Sequence, residues 1–284
     1  MTDNLLRPLG AGELLDQAFG LFRRLFVPLV LIQVIASAIP FLLNLYTAAR
    51  GGASPGLTFT MYLIAFVFGS LASAATAYLI SESYLGRDLT AGDALRRALP
   101  RVWAVMLLSL GLGLVVVLAA LPALLAIGAG AAFAGLGVQG QAQVSPAMGA
   151  SLVLVGIVLL ALPIAAFSAL AISTPALVLE GISPGVALSR SWSLTRGYRL
   201  RTIGLLFVVM LVVLVPVLAI GGMGRAFSPE PTSGSIVLIT TLSGLVSLVV
   251  TPILYCVLTL LYYDMRVRKE AFDLEMLAAQ LPAA

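Results

Sequence analysis

Histidine is absent from all 284 residues. Its absence removes the commonest general base and the commonest metal ligand together. Cysteine occurs once, at Cys256, so no intrachain disulfide can form. Lysine also occurs once, at Lys269, and every other basic residue is arginine. Charged residues make up 10% of the chain, against about 25% in a soluble domain. With 61% apolar residues, the chain has too little polar surface to cover itself in water, so its solvent is lipid. The net charge is +4, but the placement of the charges points to membrane topology rather than to nucleic acid. No polar segment exceeds about 25 residues, which leaves no room for a soluble catalytic domain beside the apolar runs.

What the chain does have is apolar runs of membrane-spanning length. A hydrocarbon core about 30 Å thick requires about 20 apolar residues per helix. Six runs qualify: Leu25–Tyr46, Leu57–Ile80, Val102–Ile127, Ser151–Leu179, Ile203–Ile220 and Ile236–Tyr263, none with a charged residue. The long fourth and sixth runs leave room for tilt, or for a kink at Pro163, Pro175 or Pro252. About 24 polar or amphipathic residues, including Asp3, Glu13 and Asp16, precede the first run. A cleavable signal peptide is not built this way, so the first run is expected to remain as an uncleaved helix.

The basic residues set the orientation. One set of connections holds Arg7, Arg23, Arg24, Arg87, Arg96, Arg97, Arg101, Arg190, Arg196, Arg199, Arg201, Arg266, Arg268 and Lys269; the other holds only Arg50 and Arg225. Fourteen against two places the first set, and both termini, on the cytoplasmic side of a bacterial inner membrane. Asp273 and Glu275 read as solvated charges of a cytoplasmic tail over 265–284.

The polar segments resemble one another. AGELLDQAF from Ala11, AGDALRRAL from Ala91 and PGVALSRSW from Pro184 align glycine at Gly12, Gly92 and Gly185, and leucine at Leu15, Leu95 and Leu188. Gly10, Thr90 and Ser183 stand at the capping position, Thr90 with Asp93 has capping-box spacing, and Pro184 suits a first helical turn. Proline then recurs late in odd spans, at Pro40, Pro122 and Pro216, and an acid ends each even span: Glu82, Glu180 and Asp264. The expected architecture is a single all-α membrane domain over 1–284. Three parallel units, about 10–82, 90–180 and 183–264, each hold one amphipathic interfacial helix and two spans. The stripes Leu14, Leu15, Ala18, Phe19, Phe22 and Ala94, Leu95, Ala98, Leu99, Val102 have helical spacing. Such helices lie in the interface, apolar side toward lipid and arginine near the headgroups.

Two constellations carry chemistry. Glu82, Glu180 and Asp264 could ring the inner mouth of a cavity, or each could pair with nearby arginine, as Asp264 with Arg268 at i, i+4. The arginines Arg96, Arg97, Arg101, Arg190, Arg196, Arg199 and Arg201 are candidate contacts for anionic lipid headgroups, beyond their role in topology. A helix ending near Thr195 or Gly197 would gather Arg196, Arg199 and Arg201 beside Arg190. Gly69, Ser73 and Ala77 form a small-residue packing stripe, and Trp103, Trp192, Tyr262 and Tyr263 fall where interfacial aromatic belts sit.

The stretches LRPLGAGELLDQAFGLFRR, EGISPGVALSRSWSLTRG and LLYYDMRVRKEAFDLEML resemble the bacterial membrane-domain family named after glycerophosphodiester phosphodiesterases. The resemblance implies the six-span fold. In some members this domain precedes a phosphodiesterase domain; a chain that stops at Ala284 without histidine departs from that arrangement, so the resemblance implies no enzyme activity. The expected function is that of an integral membrane scaffold or accessory protein, without cofactor, metal or nucleic acid. It would bind membrane lipids, or membrane or cytoplasmic proteins, on its cytoplasmic face. The alternatives are a transporter or channel component for an apolar or lipid-like substrate and, behind it, an intramembrane lipid enzyme. The spans lack the ionisable groups that transport of charged substrates usually requires.

Overall fold

The computed structural model describes residues 7–135, 146–227 and 232–272; Asp273 and Glu275 lie outside the described residues. Every element among the described residues is helical. Six stretches are long and apolar enough to cross a membrane: Phe26–Ala49, Pro55–Tyr84, Ala91–Phe133, Ala147–Glu180, Arg199–Gly222 and Gly234–Glu270. The chain is therefore a multi-pass membrane bundle. Large apolar side chains such as Val27, Phe59, Leu125 and Val158 stand on its outer surface. That is the side-chain distribution lipid solvent demands.

A short helix α1 (Ala11–Arg24) leads into the antiparallel spans α2 (Phe26–Ala49) and α3 (Pro55–Tyr84). Helix α4 (Ala91–Ala98) runs through a 3-10 turn at Leu99–Arg101 into the third span, α5 (Val102–Gly135). The fourth span is broken into α6 (Pro146–Leu159), α7 (Ala161–Leu170) and α8 (Ser173–Glu180). Helix α9 (Pro184–Thr195) then precedes the spans α10 (Arg199–Phe227) and α11 (Ser233–Glu270). Residues 265–270, expected as tail, are the last turns of α11, with Met265 and Val267 buried.

Local chemistry explains the boundaries. Thr90 caps α4 by accepting from the Asp93 amide at 3.2 Å, and Ser54 accepts from Leu57 ahead of Pro55. At α1 the Gly10 amide donates to Glu13 at 2.8 Å, and Arg7 binds the same carboxylate. These two contacts, the Gly10 bond first, hold the Glu13 carboxyl below its usual range. Ser183 makes no side-chain capping bond; Pro184 alone sets that start. The breaks in the fourth span follow its prolines. A proline has no amide for the carbonyl four residues back and crowds it. α6 ends at Leu159, four before Pro163, and Ala171, four before Pro175, separates α7 from α8. Pro252 lies inside unbroken α11.

α3 and α11 are the inner helices, with half of each span window buried. The close-packing face of α3 is the run Ala72–Ala77, in which Ser73 and Ala77 are buried while Gly69 is exposed, so the expected stripe is shifted and widened. Helices α5 and α6 approach through glycine: a Cβ at Gly156 would sit 2.4 Å from Ile127, and one at Gly130 2.6 Å from the Gly149 carbonyl oxygen. The three short helices cover one end of the bundle. Leu14, Ala94 and Ala187, at one offset of the aligned segments, are each 0% exposed, as are Ala18, Ala98 and Ser191 at another. Their stripes thus face protein rather than acyl chains. Leu15, Phe19 and Leu95 pack against the core; Leu99 is exposed and Gln17, expected on the polar side, is half-buried. The small residues Ala94, Ala98, Ala187 and Ser191 let α4 and α9 approach the neighbouring helices closely, and burial of apolar surface favours that contact.

Candidate functional site

The inner ends of the even spans carry Glu82 on α3, Glu180 on α8 and Asp264 on α11. Each binds its own arginines. Asp264 is buried at 2% exposure. One of its oxygens accepts from the Leu9 amide at 2.8 Å; the other accepts from Arg268 Nε at 3.0 Å and from Arg201. Arg201 Nη2 and Arg268 Nη2 both donate to the Leu9 carbonyl at 2.6 Å. Four groups from three distant segments close a network in which both Leu9 backbone groups are satisfied. The i, i+4 pair of Asp264 with Arg268 is legible in the sequence; Arg201 and the Leu9 backbone are not.

Glu180 anchors a second network. Arg190 Nε lies 3.0 Å from both its oxygens, and Tyr262 donates to it at 2.8 Å. The two Nη groups of Arg190 reach Glu270, one of them at 2.8 Å, and Arg266 Nε donates to Glu270 at 3.1 Å. Two carboxylates and two guanidiniums meet there among the described residues. The bond to Glu270, then that to Glu180, raises the Arg190 pKa, against burial, which lowers it. Glu270 was not among the expected residues; its place four after Arg266 was the available signal. Tyr262 and Tyr263, expected in an interfacial belt, are buried, with Tyr263 sharing a 2.6 Å hydrogen bond with Ser81. Trp103 and Trp192 are exposed.

Glu82 is bound by Arg97 at 3.0 Å and Arg87 at 3.6 Å, both largely exposed. Arg101 Nη1 donates to the Gly181 carbonyl at 3.0 Å; Gly181, at φ +70°, ends α8 where a Cβ would meet that guanidinium at 2.8 Å. Arg24 and Lys269 bind the backbone carbonyls of Ser83 and Ser193. Pairing neutralises the carboxylates one by one because each has an arginine within reach, and a buried charge must be paired.

Of the seven candidate headgroup arginines, Arg97, Arg190 and Arg201 are ion-paired and Arg101 binds a carbonyl. Arg96, Arg196 and Arg199 have no carboxylate partner among the described residues, and Arg96 and Arg196 are exposed. The Arg199 guanidinium stacks 4.0 Å over the Trp192 ring. Helix α9 ends at Thr195 and Gly197 turns the chain at φ +91°. Trp192 and residues 196–201 then wall an open groove of about 840 Å³. Arg196, Arg199 and Arg201 gather there as the spacing suggested; Arg190 does not, being held by Glu180 and Glu270.

Comparison with curated proteins and with solved structures found no match. A family profile matches residues 9–265, so the chain belongs to the family described as "Domain of unknown function (DUF7847)".

Proposed function

We propose that this chain is a scaffold or accessory protein of the bacterial inner membrane, with both termini cytoplasmic. Its three units, each a short helix and two spans, present a basic face that binds anionic lipid headgroups or a partner protein. The observation that carries the reading is the charge balance at one end of the bundle. Fourteen of sixteen basic residues belong to that end. Its acids at the even-span ends are already used within the fold, while Arg23, Arg96, Arg196 and Arg199 have no carboxylate partner among the described residues. Basic residues beside an anionic leaflet are worth about 1 kcal/mol each, so this surplus favours a negatively charged surface over a neutral one. The likeness of three stretches to glycerophosphodiester phosphodiesterase membrane domains supports a membrane-embedded module and assigns no catalytic step. The pairing of Glu82, Glu180 and Asp264 with arginine favours a structural role for these acids over a charged gate.

Native mass spectrometry from mild detergent tests the reading. Retained anionic phospholipid, or a retained protein, is the expected result. Retention of zwitterionic lipid in the same proportion as bulk membrane, with no protein bound, would overturn it.

A further inference from the structure

We infer that the groove between α9 and α10 is a discrete binding site for the phosphate headgroup of an anionic phospholipid. This deepens the anionic-lipid reading above and rests on it. Charge is the first argument. Arg201 and Arg268 share the single carboxylate of Asp264, and Arg196 and Arg199 add two cations without one. Among the described residues the network at Glu180 holds two acids and two arginines, and Glu82 has two exposed arginines of its own. The surplus at the groove is therefore the largest among these three clusters. Geometry is the second. The guanidinium of Arg199 is fixed by its stack on Trp192 at 4.0 Å, and its donors meet no carboxylate among the described residues. A phosphate oxygen satisfies such donors, and a planar guanidinium offers them in pairs. Gly197 brings backbone rather than a side chain to the groove wall.

The third argument separates a lipid from a soluble phosphate. The groove opens at the first turn of a spanning helix, where the apolar segment Arg199–Gly222 begins. Leu200 is 86% exposed and Trp192 48% exposed beside it. An apolar leucine and an indole flanking a cationic groove at that depth suit a molecule with a phosphate at one end and acyl chains at the other.

The test uses the whole chain in vesicles, in a Trp103→Phe background that leaves Trp192 as the sole tryptophan. Vesicles contain phosphatidylcholine with a small fraction of chain-brominated phosphatidylglycerol, or of brominated phosphatidylcholine as the control. Phosphatidylglycerol is expected to quench Trp192 preferentially. Native mass spectrometry of the same variants counts bound phosphatidylglycerol, because changing Arg199 alters the environment of Trp192 itself. Two basic residues at an anionic surface change affinity by about 30-fold, so R196Q/R199Q should lower the phosphatidylglycerol affinity titrated by native mass spectrometry by about that factor and abolish the preferential quenching. R196K/R199K should recover part of it, since lysine keeps the charge but not the paired donors. R23Q/R96Q should retain it. Circular dichroism confirms that each variant is helical. Loss of selectivity equally in R23Q/R96Q, or none in R196Q/R199Q, overturns the site and leaves the diffuse reading standing. Displacement of the lipid by millimolar inorganic phosphate at constant ionic strength overturns the lipid assignment in favour of soluble phosphate. Absence of any preference for phosphatidylglycerol in the parent overturns both the site and the diffuse anionic-lipid reading.

Discussion

Asp264→Asn removes one charge and changes almost no volume, yet it should be among the most damaging substitutions in the chain. The Asp264 side chain is 0% exposed, and the arginines it binds have side chains only 18% and 21% exposed. One oxygen accepts from the Leu9 amide and the other from two guanidiniums. An asparagine has one acceptor and one donor end. Whichever way it turns, its NH2 group opposes either the Leu9 amide or the arginines. Removing one partner of a buried ion pair costs about 3–5 kcal/mol, because the other charge stays behind unpaired. Glu82→Gln is the internal control: Arg97 and Arg87 are 54% and 67% exposed, and an exposed pair is worth about 0.2–1 kcal/mol. The two midpoints in an SDS titration of the purified protein should therefore differ by an amount equivalent to at least about 2 kcal/mol. Hydrogen exchange at the Leu9 amide, whose acceptor is Asp264, should quicken in D264N and not in E82Q. Equal midpoints, or an unchanged Leu9 amide, would refute the assignment of Asp264 as the clasp between the α1 leader, α10 and α11.

Arg190→Gln, which leaves Glu180 with Tyr262 and Glu270 with Arg266 as their remaining donors, should destabilise by about 2 kcal/mol, measured against Arg196→Gln, which should be near neutral for folding. Gly156→Leu drives a side chain into Ile127, 2.4 Å from the position of its Cβ, and should separate α5 from α6; a disulfide between cysteines placed across that contact should no longer form. Cysteine at Ala53 should label from outside the cell with an impermeant thiol reagent in a Cys256→Ser background, and cysteine at Ser193 should not, following the 14-to-2 split of basic residues; labelling of Ser193 alone reverses the orientation. Ser191→Ala with Thr195→Val removes both hydroxyl bonds to the Ala169 carbonyl, at 2.9 and 3.0 Å, and should cost about 2 kcal/mol in the same titration; an unchanged midpoint would show that α9 is held by other contacts.

The spans were legible because burial in lipid imposes a run length that hydropathy records directly. The helices nevertheless outrun the apolar runs. Ile203–Ile220 became Arg199–Phe227 and Ile236–Tyr263 became Ser233–Glu270. Hydropathy stops at the first charges, whereas backbone hydrogen bonding continues through them, and those polar turns are where the arginines are carried. The starts of the short helices at Ala11, Ala91 and Pro184 were legible from Gly10, Thr90 and the proline itself. Which way their stripes face was not. A moment gives the width of an apolar face, while the choice between acyl chain and protein depends on what covers the span ends.

The site was half legible for the same reason. Sequence puts an acid at each even-span end and an arginine four residues from one of them, and local spacing of that kind survives folding, as Asp264 and Arg268 do at 3.0 Å. The partners that bury Asp264 stand 63 and 255 residues away, at Arg201 and Leu9. One of them is a backbone group, which any residue type supplies and no pattern marks. Charge counting also treated the arginines as one class. Folding divides them: those within reach of a carboxylate are taken up in ion pairs, while Arg23, Arg96, Arg196 and Arg199 have none among the described residues. An acid of this bundle therefore also sets which arginines stay free. Glu270 illustrates this from the C-terminal side: together with Glu180 it holds Arg190, and that cation is not in the lining of the groove between α9 and α10.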